Sequence, residues 1–154
     1  MSQLKVMFVC TGNTCRSPMA AVMASQIFEK AGLAVEVLSA GVSAILGQPA
    51  SRNAASVMKE DGLCLLSHRA SIVSGDTLED TTLVLTMTNS HRAVVLSDYP
   101  AYCGKVFTLA EYVGDDVNVA DPFGGSVDEY RACASQIRGL LVLAAKKLGK
   151  DGLM

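Results

Sequence analysis

The chain has 154 residues, half of them apolar and 18 % charged, with a formal net charge of −2. That length can bury a core without staples, and the composition excludes a disordered chain. The near-neutral balance argues against a nucleic-acid or anionic-membrane surface, and five cysteines without paired spacing argue against a disulfide framework. No charged-then-apolar leader opens the sequence and no apolar run reaches spanning length, so we expect one cytoplasmic, reduced domain over 1–154.

Leu4 to Val9 is a short apolar run with β-branched and aromatic residues and reads as a buried strand. A loop follows, after which Ser17 is placed to cap a helix and Pro18 to occupy its first position. That helix is rich in Ala and Met, reaches Lys30 and closes at Gly32. Ala34 to Ser39 is a second strand, Ala40 to Pro49 a loop, and Ser51 to Glu60 a helix ending near Gly62. Asp76 to Asp80 reads as one or two helical turns. Thr82 to Met87 is a strand buried on both faces, because its apolar run scarcely alternates. Asn89 is expected to cap a helix running to about Ser97, Lys105 to Leu109 to form a last strand, and Ser126 to about Leu148 a long helix with Ile137, Leu140, Leu141 and Ala144 on its apolar side. Strand–helix alternation with short connections implies a parallel sheet covered by helices on both faces, with ligands beyond the carboxyl ends of the strands.

The loop at the end of the first strand carries the chemistry. Five residues separate Cys10 from Arg16, and the cradle runs Thr11, Gly12, Asn13, Thr14, Cys15, Arg16 and Ser17. Such a loop, opening directly into a helix, can turn backbone N–H groups and the positive end of the helix dipole toward one anion. A helix N-terminus and a neighbouring cation favour the thiolate form of a cysteine, the form that attacks phosphorus. Arg16 offers a planar fork matched to two phosphoryl oxygens. Gly12 is expected to take positive φ and let the backbone approach, and Asn13 to tolerate left-handed geometry and lock the loop through its amide. The plain alternative is an inert core cysteine, a surface arginine and an ordinary helix start.

A second element is Asp121, stiffened by Pro122. A leaving group departs as a neutral alcohol or guanidine only if an acid protonates it, so Asp121 must start protonated, with an apolar wall and the phosphate charge favouring that form. The expected reaction has two steps: Cys10 attacks phosphorus in line to give a phosphocysteine while Asp121 protonates the leaving atom, then water attacks with Asp121 as base. Arg16 and the loop amides supply the positive field, so no metal or other cofactor is called for. The cysteines, His68 and His91 lack zinc-ligand spacing, and His91 reads as a helix-surface residue.

Cys10-Thr-Gly-Asn-Thr-Cys-Arg16-Ser17 resembles the active-site loop of the low-molecular-weight protein tyrosine phosphatases, and Val119-Ala-Asp121-Pro-Phe-Gly-Gly-Ser126 resembles that family's general-acid loop. The order and separation of the two also fit, and the resemblance covers essentially the whole chain. It implies a three-layer α/β sandwich with a four-stranded parallel sheet. Within the family, Thr14 and Asp-Pro-Phe-Gly-Gly-Ser look most like the bacterial protein-arginine phosphatases. There the threonine matching Thr14 helps select phosphoarginine and narrows the site against aromatic rings. The resemblance further implies that Asn13 is tied to Ser17, with Ser39 and His68 as additional supports, and that Cys15 can form a reversible disulfide with Cys10.

The pocket walls are expected from Phe123 and from the loop carrying Ile45 and Leu46, which lacks the aromatic residue that tyrosine-directed relatives present. The expected substrate is therefore phosphoarginine on proteins, with phosphotyrosine as the alternative and a monomer as the working unit. An arsenate reductase and a non-catalytic phosphopeptide-binding module are remote alternatives. The first needs further cysteines in a mobile segment, yet Cys103 and Cys133 lie outside it; the second is expected to have lost Cys10, Arg16 or Asp121.

Overall fold

The computed structural model describes residues 4–150, so the outermost ends of the 1–154 span lie outside the described residues. Four parallel strands, β1 (Leu4–Cys10), β2 (Val35–Gly41), β3 (Leu83–Thr86) and β4 (Val106–Thr108), pair in the order β2-β1-β3-β4. β1 is central, matching Leu4 to Val35 through Cys10 to Gly41 on one side and Val6 to Leu83 through Val9 to Thr86 on the other. Its alternation divides the core. Val6 and Phe8 pack under α1 (Arg16–Lys30), α2 (Arg52–Glu60) and α6 (Val127–Lys150), whereas Met7 and Val9 pack under α3 (Gly75–Asp80) and α4 (Asn89–Asp98). The expected three-layer sandwich is the observed one. β3 is buried at every position, as an inner parallel strand must be.

Helix starts depart from expectation where a hydroxyl has another partner. α1 begins at Arg16 with Cys15 at its N-cap, so Ser17 does not cap and Pro18 stands third in the helix. Pro18 is tolerated because the amides of the first turn have no helical acceptor in any case. The N-cap of α4 is Thr88, whose Oγ accepts from the N–H of His91, and not Asn89. The Asn89 N–H is held instead by Asn118 Oδ1 at 2.7 Å. Leu109 leaves the last strand to open a one-turn helix, α5 (Leu109–Tyr112), because Thr108 and Glu111 close a capping box. A 3₁₀ turn at Pro100–Tyr102 precedes β4. Ile137, Leu140, Leu141 and Ala144 are all buried along α6.

Chain connections leave β1 for β2 on one side and reach β3 and β4 on the other, so the crevice at the carboxyl end of β1 is a topological switch point. The Cys10 loop stands in it. No helix among the described residues is long and apolar enough to cross a membrane.

Candidate active site

The loop after β1 is built from outside inward. The Cys10 carbonyl accepts from Val42 N–H at 3.0 Å, Thr11 O from Ser43 N–H at 2.9 Å, and Thr14 O from Ser51 N–H at 2.8 Å. The Asn13 carbonyl accepts from His68 Nε2 at 2.7 Å. Because a peptide unit is planar, pinning these carbonyls outward turns the following N–H groups inward, which forms an anion nest. Asn13 adopts φ +56°. Gly12, expected at positive φ, does not adopt it; the left-handed turn falls one residue later, where the Asn13 side chain compensates for the strain. Its Nδ2 donates to Ser17 Oγ at 2.8 Å and Ser39 Oγ at 3.0 Å, and its Oδ1 accepts from Ser71 N–H at 2.8 Å.

Cys10 is buried, with Sγ 2.9 Å from Ser17 Oγ. Ser17 Oγ already accepts from Asn13, and its one hydrogen faces two acceptors, the sulfur at 2.9 Å and Ala40 O at 3.4 Å. Arg16 is buried at 4 % exposure, and only its cleft-side edge remains to meet a ligand. Nη1 donates to Val119 O at 2.9 Å, Nη2 reaches Thr11 Oγ1 at 3.4 Å and Asp121 Oδ2 at 3.5 Å, and Nε has no partner among the described residues. Val119 N–H in turn donates to Met87 O at the end of β3, so the loop bearing Asp121 is anchored to the sheet and to Arg16 together.

The cleft holds about 290 Å³ and is lined by Cys10, Thr11, Gly12, Thr14, Cys15, Arg16, Gln48, Asp121 and Phe123. A thiol, a guanidinium, a nest of amides and a carboxylate thus converge on a space fit for a tetrahedral oxyanion.

The chain as a whole is similar to proteins of known type. The model of the low molecular weight phosphotyrosine protein phosphatase family matches residues 5–153. This chain belongs to that family. The protein-arginine-phosphatase of Bacillus subtilis is 43 % identical, with 96 % of this chain and 99 % of the relative covered. The low molecular weight protein-tyrosine-phosphatase PtpB of Staphylococcus epidermidis is 38 % identical, with 90 % and 94 % covered. A solved structure of a YwlE arginine phosphatase mutant with a phosphorylated active-site serine superposes with a TM-score of 0.94 at 42 % identity, covering 97 % of this chain and 98 % of that one.

Several residues of this phosphatase stand elsewhere than the sequence suggested. Ile45 and Leu46 do not line the cleft: they are 67 % and 78 % exposed, and Gln48 takes the wall. The cause is a turn at Gly47, φ +86°, fixed by Gly47 N–H to Ala70 O and Ala70 N–H to Gln48 O, which leaves the loop tip in solvent. Asp121 shares the cleft with Phe123 and is not enclosed by apolar side chains. Its side chain is half exposed, beside Arg16, and Oδ1 accepts from Phe123 N–H at 3.0 Å. The side chains of Asn13 and Ser17 are fully buried behind the nest, where they brace it without lining the cleft. Cys15 Sγ lies 3.2 Å from Tyr130 OH and 3.5 Å from Ser51 Oγ, and both Cys10 and Cys15 are free thiols.

His91 is not a surface residue but 6 % exposed, with Nε2 2.8 Å from Thr11 Oγ1. Burial first, and then the Arg16 charge, push its pKa down to about 4, against an opposing pull from Asp121. Gly41, Gln48 and Ser71 also serve the site unannounced by the sequence. Only Gly41 carried a local hint, a glycine directly at a strand end.

Proposed function

We propose that this phosphatase hydrolyses phosphoarginine on proteins through a phosphocysteine on Cys10. The observation that carries the reading is the convergence of Cys10, Arg16, Thr14 and Asp121 on one small cleft, with no aromatic residue in the loop from Val42 to Pro49. The likeness to the Bacillus protein-arginine-phosphatase supports the choice of substrate.

The Cys10 thiolate attacks phosphorus opposite the guanidino nitrogen, the P–N bond breaks, and Asp121 delivers a proton to that nitrogen. Water, deprotonated by Asp121, then displaces the sulfur and releases inorganic phosphate. The loop amides of Thr11 through Ser17 and the Arg16 fork hold the equatorial oxygens, and the Thr14 hydroxyl stands at the rim of the same cleft. Asn13, Ser17, Ser39 and His68 keep the nest in shape. All of this needs no metal. The reading places the protein in a reducing cytoplasm, as a monomer acting on phosphorylated proteins and not on nucleic acid or membrane.

Phosphotyrosine is the second reading, favoured by Phe123, whose side chain is 73 % exposed at the cleft wall and offers a ring face. Metal-free phosphate release from matched phosphoarginine and phosphotyrosine proteins decides between them. The proposal expects a higher kcat/KM on phosphoarginine, and a strong preference for phosphotyrosine overturns it. Cys10→Ser abolishes turnover while phosphate still binds; appreciable turnover by that variant excludes Cys10 as nucleophile. Asp121→Asn lowers kcat by roughly 10²- to 10⁴-fold, the usual contribution of a positioned acid and base.

A further inference from the structure

Thr11 directly follows Cys10, lines the cleft and is exposed to it, and its hydroxyl has two neighbours behind it. Arg16 Nη2 lies 3.4 Å from Oγ1, and His91 Nε2 lies 2.8 Å away. His91 is the third residue of α4, held there because its own N–H is the one that the Thr88 hydroxyl caps. Its other ring nitrogen, Nδ1, is buried and has no partner among the described residues.

These facts fix a tautomer. A hydrogen on Nδ1 makes a buried donor with nothing to donate to, whereas a hydrogen on Nε2 leaves only a bare acceptor there. Orphaned buried donors are the rarer case in proteins. The ring is held neutral, since burial and Arg16 both oppose a second hydrogen. Nε2–H therefore donates to Thr11 Oγ1. That oxygen then accepts from His91 and from Arg16, which occupies both lone pairs and leaves the hydroxyl hydrogen for the open side.

We propose that His91 is a positioning residue of the phosphatase reaction: by donating from Nε2 it sets the Thr11 hydroxyl as a donor into the cleft, toward a phosphoryl oxygen. This rests on the phosphatase reading given above. A hydroxyl with a free rotor has to be oriented as charge develops on the oxygens; one fixed in advance costs no such reorganisation. His91 touches no reacting atom and acts only through Thr11.

The test compares His91→Phe, which keeps the bulk and loses the donor, with His91→Gln, which keeps a neutral N–H. Kinetics use the better of the phosphoarginine and phosphotyrosine substrates. His91→Phe is expected to lower kcat roughly ten- to a hundredfold, as expected for losing one hydrogen bond to a charged group, with KM nearly unchanged. His91→Gln recovers most of the loss. In a Thr11→Val background, His91→Phe has no further effect, because its only route to the reaction has been removed. Additive losses in the double variant, or a His91→Gln protein as slow as His91→Phe at equal thermal stability, overturn the proposal. The imidazole nitrogen chemical shifts of the wild-type protein supply a readout independent of activity. They are expected to report hydrogen on Nε2, and hydrogen on Nδ1 overturns the assignment even if phosphate release is robust. Failure of the wild type on both substrates is instead a failure of the phosphatase reading.

Discussion

Asn13 is the residue on which the nest depends. Its left-handed φ costs a β-carbon-bearing residue about 1–2 kcal/mol, and its amide makes three bonds to Ser17, Ser39 and Ser71 in return. At about 1 kcal/mol net per bond, Asn13→Ala is expected to lose about 3–4 kcal/mol of stability in urea unfolding. Asn13→Gly, which relieves the backbone but not the lost bonds, is expected to recover part of that deficit; equal losses mean that φ is not a source of strain. Thr14 acts at the rim, where it offers the cleft a small side chain with a hydroxyl. Replacing it with a larger, purely apolar group removes a hydrogen-bond partner for a guanidino phosphate and leaves aromatic stacking on Phe123 untouched. Thr14→Ile is therefore expected to shift the ratio of kcat/KM values toward phosphotyrosine, and an unchanged ratio removes Thr14 from substrate selection.

At the level of elements, the end of β2 is what the Cys10 loop rests on. A β-carbon on Gly41 falls 2.9 Å from Asn13 N and inside contact distance of Thr11 O, both backbone atoms of the nest. Thr11 O cannot give way without breaking its bond to Ser43 N–H. Gly41→Ala is thus expected to keep the fold, as read by circular dichroism, while kcat/KM falls roughly tenfold or more, since a misplacement of about 1 Å can cost about a hundredfold. Unchanged kinetics mean that the nest tolerates a shift. The strands were legible because Leu4–Cys10 and Leu83–Thr86 are mostly apolar runs, broken only by Lys5 and Thr86, and only their ends moved by a residue. Caps were less legible. Ser17 has the right chemistry for an N-cap but is taken by Cys10 and Asn13, and α5 was hidden inside a run that also reads as strand although Thr108 and Glu111 spell a capping box. The same distinction holds for the site. Cys10 to Ser17 is one contiguous stretch whose chemistry is local, whereas His91 and Gln48 reach it only through tertiary packing, which spacing along the chain does not encode.

The whole molecule responds to pH through groups it buries without a charge. His91 titrates near 4 in the folded protein, against 6.5 unfolded, so between those values the unfolded chain binds more protons and stability falls as pH falls. The slope cannot exceed about 1.4 kcal/mol per pH unit for this one proton, and the contribution is fully lost below about pH 4. Arg16 and Asp121 are the charges facing the ring, and they pull in opposite directions, so burial decides the sign. At the alkaline end, burial pushes the Cys133 thiol from 9.0 up to about 12, and burial with the Cys15 contact pushes Tyr130 from 10.0 up to about 12. For both, the unfolded chain releases its proton first, so stability falls as pH rises above 9. A plateau of stability between about pH 6.5 and 9 is therefore expected, bounded by His91 below and by Cys133 and Tyr130 above. Urea midpoints measured across pH 4–11 check it. His91→Phe flattens the limb between pH 4 and 6.5, and Cys133→Ala flattens the onset above pH 9. A limb that keeps its slope in the corresponding variant shows that another group sets it; Glu60, held low by Arg131, is exposed and adds little, and only at the acid edge of the His91 window.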